Sequence, residues 1–257
     1  MIPKVIHYCW LSDDSVPDDL KRCMESWKNK LPDYEFVKWD FSKFDKNSSV
    51  WVREAFDNKK YAFACDYIRL FALYNYGGIY MDMDIEVLKS FNELLNQKRM
   101  MARERPDEMW IEAGCFGAEK GEPFLAKCLD YYTDKHFINE NGVFEDTPLP
   151  RIMSKVYEEN QFSFKLYDWH AFTNKSYYTG EISTTKDSFA IHHFAGSWKS
   201  KEEQTVTNKA KNIRKNVPVI GSALAFVYEK SYKTKKAIEK GGLKEFVIRL
   251  KRYINKL

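Results

Sequence analysis

YAFACDYIRLFALYNYGGIYMDMDIEVL, residues 61–88, is an apolar helical pattern that stops at Gly77-Gly78 and passes directly into a strand ending on two aspartates. Glycine accepts the left-handed backbone that closes a helix, and the pair Ile79-Tyr80 suits a buried pleated strand. Asp82 and Asp84 therefore fall near a strand end. Period-two alternation predicts that both face one side, with Met83 and Ile85 on the other. Two hard oxygen ligands so close together can share one divalent cation, or one can grip it while the other accepts from a ligand hydroxyl. A solvated turn is the simpler reading of a bare Asp-x-Asp. The context weighs against it: the pair terminates a hydrophobic strand, and Asp66 and Arg69 on the preceding helix are three apart and share a face.

Outward from this segment, Val5 to Trp10 forms a short apolar strand. Pro17-Asp18-Asp19 opens a helix to about Asn29, with acidic residues against its dipole, and Tyr34 to Trp39 forms a second strand. This βαβ opening predicts a parallel sheet with ligands at the carboxyl ends of its strands, near His7, Trp10 and the loop that follows. Beyond Leu88 the patterns predict a short helix at Phe91–Leu95, a strand at Met100–Arg103, helices at Pro123–Phe137 and Pro148–Asn160, and strands at Phe164–Phe172 and Phe189–Phe194. The last of these ends on His192-His193, and alternation lets only one of the two face a site.

Three segments, DYIRLFALYNYGGIYMDMDIEVLK (66–89), IPKVIHYCWLS (2–12) and AIHHFAGSW (190–198), together resemble the DXD-containing sugar transferases of glycosyltransferase family 32, which are related to large glucosylating bacterial toxins. The resemblance covers roughly residues 1–200. It implies an α/β GT-A fold, Rossmann-like, with a UDP-sugar as donor, Mn²⁺ or Mg²⁺ as cofactor, and retention of anomeric configuration. It implies metal ligation by Asp84, by Asp82 directly or indirectly, and by a late-chain histidine, for which His193 is favoured over His192 because it begins a His-aromatic-small-Gly pattern seen at such positions in related enzymes. Asp66 is then expected to accept from donor sugar hydroxyls and Arg69 to balance it near the leaving phosphates, which makes Asp66, Arg69 and Asp82 the catalytic group. Trp10 is expected to stack on the base, with core packing as its alternative; His7 falls among the cofactor-binding candidates by its place beside the nucleotide, although packing or hydrogen bonding in the core is its favoured reading; and Ser197 and Trp198 are expected to close over the diphosphate. One departure stands out: where the family often has Asn, this chain has Glu112 before Ala113-Gly114, either a polar replacement facing the sugar or a surface residue.

Composition bounds the rest. The chain has 257 residues, 44% hydrophobic and 16% aromatic, which argues against disorder and fits one α/β domain with an appendage. Its five scattered cysteines form no C-x-x-C pair and read as buried thiols of a reducing compartment. No basic-then-apolar leader and no run of about 18 apolar residues occurs, which predicts a cytoplasmic protein. Residues 201–257 hold 15 Lys and Arg against 5 Asp and Glu, leaving residues 1–200 net negative. The expected organisation is thus a catalytic domain, 1–200, and a basic helical extension, 201–257. Leu243, Phe246, Val247, Leu250, Tyr253 and Ile254 follow a helical stripe, so this extension suits an anionic membrane surface and peripheral attachment. The expected activity is transfer of a hexose or N-acetylhexosamine to a carbohydrate, lipid-linked acceptor in surface-polysaccharide synthesis. Two alternatives are a non-catalytic protein using the basic tail on nucleic acid, which the lack of any nucleic-acid-binding motif disfavours, and a transferase with a protein side chain as acceptor.

Overall fold

The computed structural model describes residues 1–196, 201–217 and 219–254, with the side chains at 237 and 240–254 excepted. β1 (Val5–Cys9), α1 (Asp18–Lys30) and β2 (Glu35–Trp39) form the expected βαβ unit, with Val5 opposite Glu35 and Cys9 opposite Trp39 in parallel register. Leu20, Cys23 and Trp27 recur at helical spacing on α1 and are its buried residues. After α2 (Val50–Asp57), α3 (Tyr61–Tyr76) buries residues on nearly every side, including the ion pair Asp66 and Arg69, as expected of a helix apolar throughout.

The chain leaves α3 through Gly77 at φ +69° and Gly78 at φ +113°. A side chain at Gly78 is excluded by space as well as by backbone angle: its Cβ would lie 2.7 Å from the carbonyl oxygen of Val5. The two glycines thus let the backbone turn back beside β1 within two residues. β3 (Gly78–Met81) then pairs in parallel with β1. Period two is visible in its packing: Ile79 and Met81 join one core cluster with Leu20, Trp27 and Phe172, whereas Tyr80 joins the other with Trp51, Ile68 and Phe124.

β4 (Ile85–Val87), β5 (Arg99–Met100), β6 (Cys115–Ala118), α4 (Pro123–Asp130), α5 (Leu149–Glu159) and β7 (Ala190–His192) complete this unit. The sheet order is β2-β1-β3-β6-β5, parallel across the first three strands and antiparallel across the last two. The parallel expectation therefore holds for half the sheet. β4 and β7 form a separate antiparallel pair. Phe164–Phe172 is not a strand; it touches its neighbour through one isolated bridge, Ala102 to Tyr167. Apolar residues there, such as Phe172, are buried as single anchors without a ladder.

The chain divides into two compact units, Met1–Lys175 with Ile182–Trp198, and Ser176–Glu181 with Lys199–Leu257. The second unit consists mainly of two helices, α6 (Lys201–Asn216) and α7 (Gly221–Ile254). The apolar stripe expected at 243–254 lies on side chains outside those described. Among the described residues, no helix is long and apolar enough to cross a membrane.

Candidate active site

The two aspartates sit in a turn between β3 and β4, not along one strand. The Ile85 amide donates to the carbonyl of Asp82 at 3.0 Å, which closes the turn and brings both carboxylates to one side by a route other than strand alternation. The Asp82 amide in turn donates to the Gly114 carbonyl at 2.7 Å, tying the turn to the segment leading into β6.

On one flank the Asp82 carboxylate faces Arg69. Both terminal nitrogens approach it, Nη1 at 3.3 Å from Oδ2 and Nη2 at 3.2 Å from Oδ1, and the Tyr80 hydroxyl donates to Oδ1 at 2.9 Å. Nη2 also lies 3.3 Å from Asp66 Oδ1, Nη1 donates to the Ala113 carbonyl at 2.7 Å, and the guanidinium sits 4.6 Å from the centre of the Tyr80 ring. One buried cation thus serves two carboxylates and a carbonyl, as the planar fork of arginine allows. Burial pushes Asp66 up to about 6, with Arg69 opposing and Asp82 adding to the shift. Burial also raises Asp82, again against the pull of Arg69.

The other flank is built on His192. β7 pairs with β4 so that His192 lies opposite Ile85, next to Asp84. Its Nε2 is 3.6 Å from Asp84 Oδ1, and its Nδ1 is 3.0 Å and 3.2 Å from the two oxygens of Glu112. A carboxylate only accepts, so Nδ1 carries the proton and Nε2 is the nitrogen turned toward the aspartates. Glu112 is fully buried, and its oxygens also accept from the Gly114 amide at 2.6 Å and the Thr173 hydroxyl at 2.7 Å. Burial works against charge on His192, but Glu112, Asp84 and Asp82 outweigh it and raise the imidazole to about 10. Gly114 is required by space: a Cβ there would come within 2.7 Å of His192 Cε1 and 2.9 Å of Glu112 Oε1.

Asp82, Asp84 and His192 each present a ligand atom, all within 4.8 Å of one another. Two carboxylates and one imidazole are a donor set that Mn²⁺ accepts readily and Mg²⁺ tolerates. The hydrogen bond from Nδ1 to a buried carboxylate is the usual support of a ligating histidine. The residues therefore fit a divalent cation.

The expected third ligand, His193, is corrected to its neighbour. His193 Nε2 pairs with Glu86 Oε2 at 2.8 Å, and only its backbone approaches Asp84, through its amide to the Asp84 carbonyl at 3.0 Å. Successive side chains leave a strand on opposite faces, and the face toward the aspartates belongs to His192. His7 takes its core role and not the cofactor-binding one. It is buried, its Nδ1 accepts from Trp39 Nε1 at 2.9 Å, and its Nε2 donates to the Gly77 carbonyl at 2.9 Å, so neither nitrogen is left for a ligand. Trp10 lies half-buried at the end of β1, its indole donating to the Asp14 carbonyl at 3.0 Å. Ser197 and Trp198 lie outside the described residues.

Glu112 is the member that sequence reasoning placed only as a departure from pattern. The available signal was its setting, a single carboxylate in the apolar run Trp110 to Ala118. Lys175 went unremarked; its ammonium donates to the His193 carbonyl at 2.9 Å and pins the chain just after β7.

Residues 17–101 match the family model described as the glycosyltransferase sugar-binding region containing the DXD motif. Among curated proteins, the chain is 32% identical over 132 residues to inositol phosphoceramide mannosyltransferase 3 of Schizosaccharomyces pombe, covering 50% of this chain and 36% of the relative. It is 29% identical over 133 residues to mannosyl phosphorylinositol ceramide synthase SUR1 of Saccharomyces cerevisiae, covering 50% and 34%. The chain thus spans about a third of the length of these relatives. Among solved structures, PaToxG glycosyltransferase aligns with a TM-score of 0.47 at 19% identity over 62% of this chain and 70% of that one. A galactosyltransferase solved with donor and acceptor sugar analogues aligns at 0.43 and 13% identity, over 88% and 95%.

Proposed function

We propose that this chain is a metal-dependent glycosyltransferase that moves a hexose from a nucleotide-diphosphate donor to a lipid-linked glycan or related lipid acceptor. The observation that carries this reading is the Asp82, Asp84 and His192 cluster, with Glu112 holding His192 from behind. A bound Mn²⁺ or Mg²⁺ would supply positive charge to the departing diphosphate. The chain's own residues do the rest. Arg69 holds Asp82 in one orientation, Glu112 keeps the His192 proton on Nδ1, and Asp66 is positioned to accept from a donor hydroxyl. Trp10 stacks on the base. Among the described residues none presents itself as a covalent nucleophile, so the retention that the resemblance implies would proceed by same-face attack.

The resemblance favours a UDP-hexose or UDP-N-acetylhexosamine. The names of the curated relatives favour a mannosyl donor and a phosphoinositol-ceramide-like acceptor, and so a lipid-borne acceptor ahead of surface-polysaccharide assembly. Release of nucleoside diphosphate from UDP-hexoses, UDP-N-acetylhexosamines and GDP-mannose, with and without Mn²⁺, tests the reading. One donor should be turned over only with metal, His192→Ala should lose that activity, and His193→Ala should keep it. Metal-independent release, or equal loss in both variants, would overturn it.

A further inference from the structure

The turn between α6 and α7 exposes a cluster of large apolar side chains. Val219 is fully exposed, Ile220, Phe226 and Val227 are half-exposed or more, and Leu224 is 46% exposed. Helical spacing explains the division of α7: Gly221 and Ala225 are buried, the Cα of Gly221 facing the Ile213 carbonyl, whereas Ile220, Leu224 and Val227 line up on another face. Placing aliphatic residues rather than polar ones on that outer face has no benefit for the hairpin itself.

Charge distinguishes this end of the hairpin from the rest. From Gln204 to Tyr228 the sequence holds no Asp or Glu, but it holds Lys209, Lys211, Arg214 and Lys215. Arg214 is engaged with Glu229, at 2.6 Å from its Nη2. Lys209 and Lys215 are exposed, Lys215 with Glu181 at the outer limit of pairing, 4.0 Å. An apolar tip collared by cations, with no acid on the segment, matches a surface that is negative outside and hydrocarbon within. A second copy of the chain would instead bring the two cationic collars together.

We propose that the α6–α7 turn is a membrane-docking element that inserts Val219, Ile220, Leu224 and Val227 into the headgroup region of anionic lipid while Lys209 and Lys215 meet the charge. This is a different surface from the 243–254 stripe, and it stands apart from the transferase reading.

The full-length protein tests it by flotation with vesicles of phosphatidylcholine alone and with phosphatidylserine added. Binding should require the anionic lipid and weaken with salt. The triple variant Ile220→Ser, Leu224→Ser, Val227→Ser should lose at least about tenfold in partitioning, as should Lys209→Gln with Lys215→Gln, while nucleotide-sugar hydrolysis in solution is unchanged by either. No binding of the wild type, or binding of the triple variant equal to wild type, would overturn the inference. So would a concentration-dependent dimer in sedimentation velocity that the triple variant abolishes without any change in lipid binding, because the face would then be a self-association surface.

Discussion

Arg69 and His192 are two buried cations, each set between two carboxylates, on either side of the same turn. Arg69 lies between Asp66 and Asp82, His192 between Glu112 and Asp84. The difference is in the proton. A guanidinium is never deprotonated in a protein, so Arg69 serves only as a fixed countercharge and donor. An imidazole held by Glu112 at Nδ1 can release the proton on Nε2 to solvent and offer that nitrogen to a cation, so the His192 flank could exchange a proton for a divalent ion. Arg69 is thereby permanent scaffold, whereas His192 is the cation that an ion at the proposed site would change.

The largest effect should come from breaking the permanent scaffold. Arg69→Met leaves the buried Asp66 and the partly exposed Asp82 without their cation and should lower unfolding free energy by about 3–5 kcal/mol, measured by urea denaturation. A loss below about 1 kcal/mol would show that solvent already shields the pair.

Asp66→Asn acts in the opposite direction. The folded protein keeps Asp66 protonated up to about pH 6, whereas in the unfolded chain it titrates near roughly 3.9. The stabilisation from the protonated form is complete below pH 4 and is lost as pH rises through 6. Asparagine cannot lose it. The variant should therefore be more stable than wild type at pH 7.5, by up to about 3 kcal/mol, with the two converging below pH 4 in a series of denaturation curves. Turnover should fall in the same variant if Asp66 contacts the donor, which would separate its catalytic use from its cost to stability. A pH-independent difference would place the carboxylate outside the titrating group.

Glu112→Gln sharpens the other flank. It keeps the shape and one acceptor oxygen but removes the negative charge that supports the imidazole, and should weaken Mn²⁺ binding by about 10–100-fold, read by titration of free Mn²⁺ with electron paramagnetic resonance. Unchanged affinity would mean that His192 is oriented without it. The smallest effect belongs to His193→Ala, whose partner Glu86 is itself partly exposed. Stability should stay within about 1 kcal/mol and Mn²⁺ affinity should not move.

Sequence alone determined the elements that depend on local pattern. The βαβ opening, the apolar helix ending at Gly77-Gly78 and the aspartates just beyond a buried strand all follow from neighbours within a few residues, where periodicity and glycine geometry act. Only the tertiary structure decided between His192 and His193. That choice depends on the pairing of β7 with β4, residues about a hundred positions apart, and on Glu112 arriving behind one histidine from a third segment. The same reason removes His7 from the site, since its partners Trp39 and Gly77 are distant in sequence. A side chain's face is a local property, but what meets that face is set by packing, and no periodicity in the chain records it.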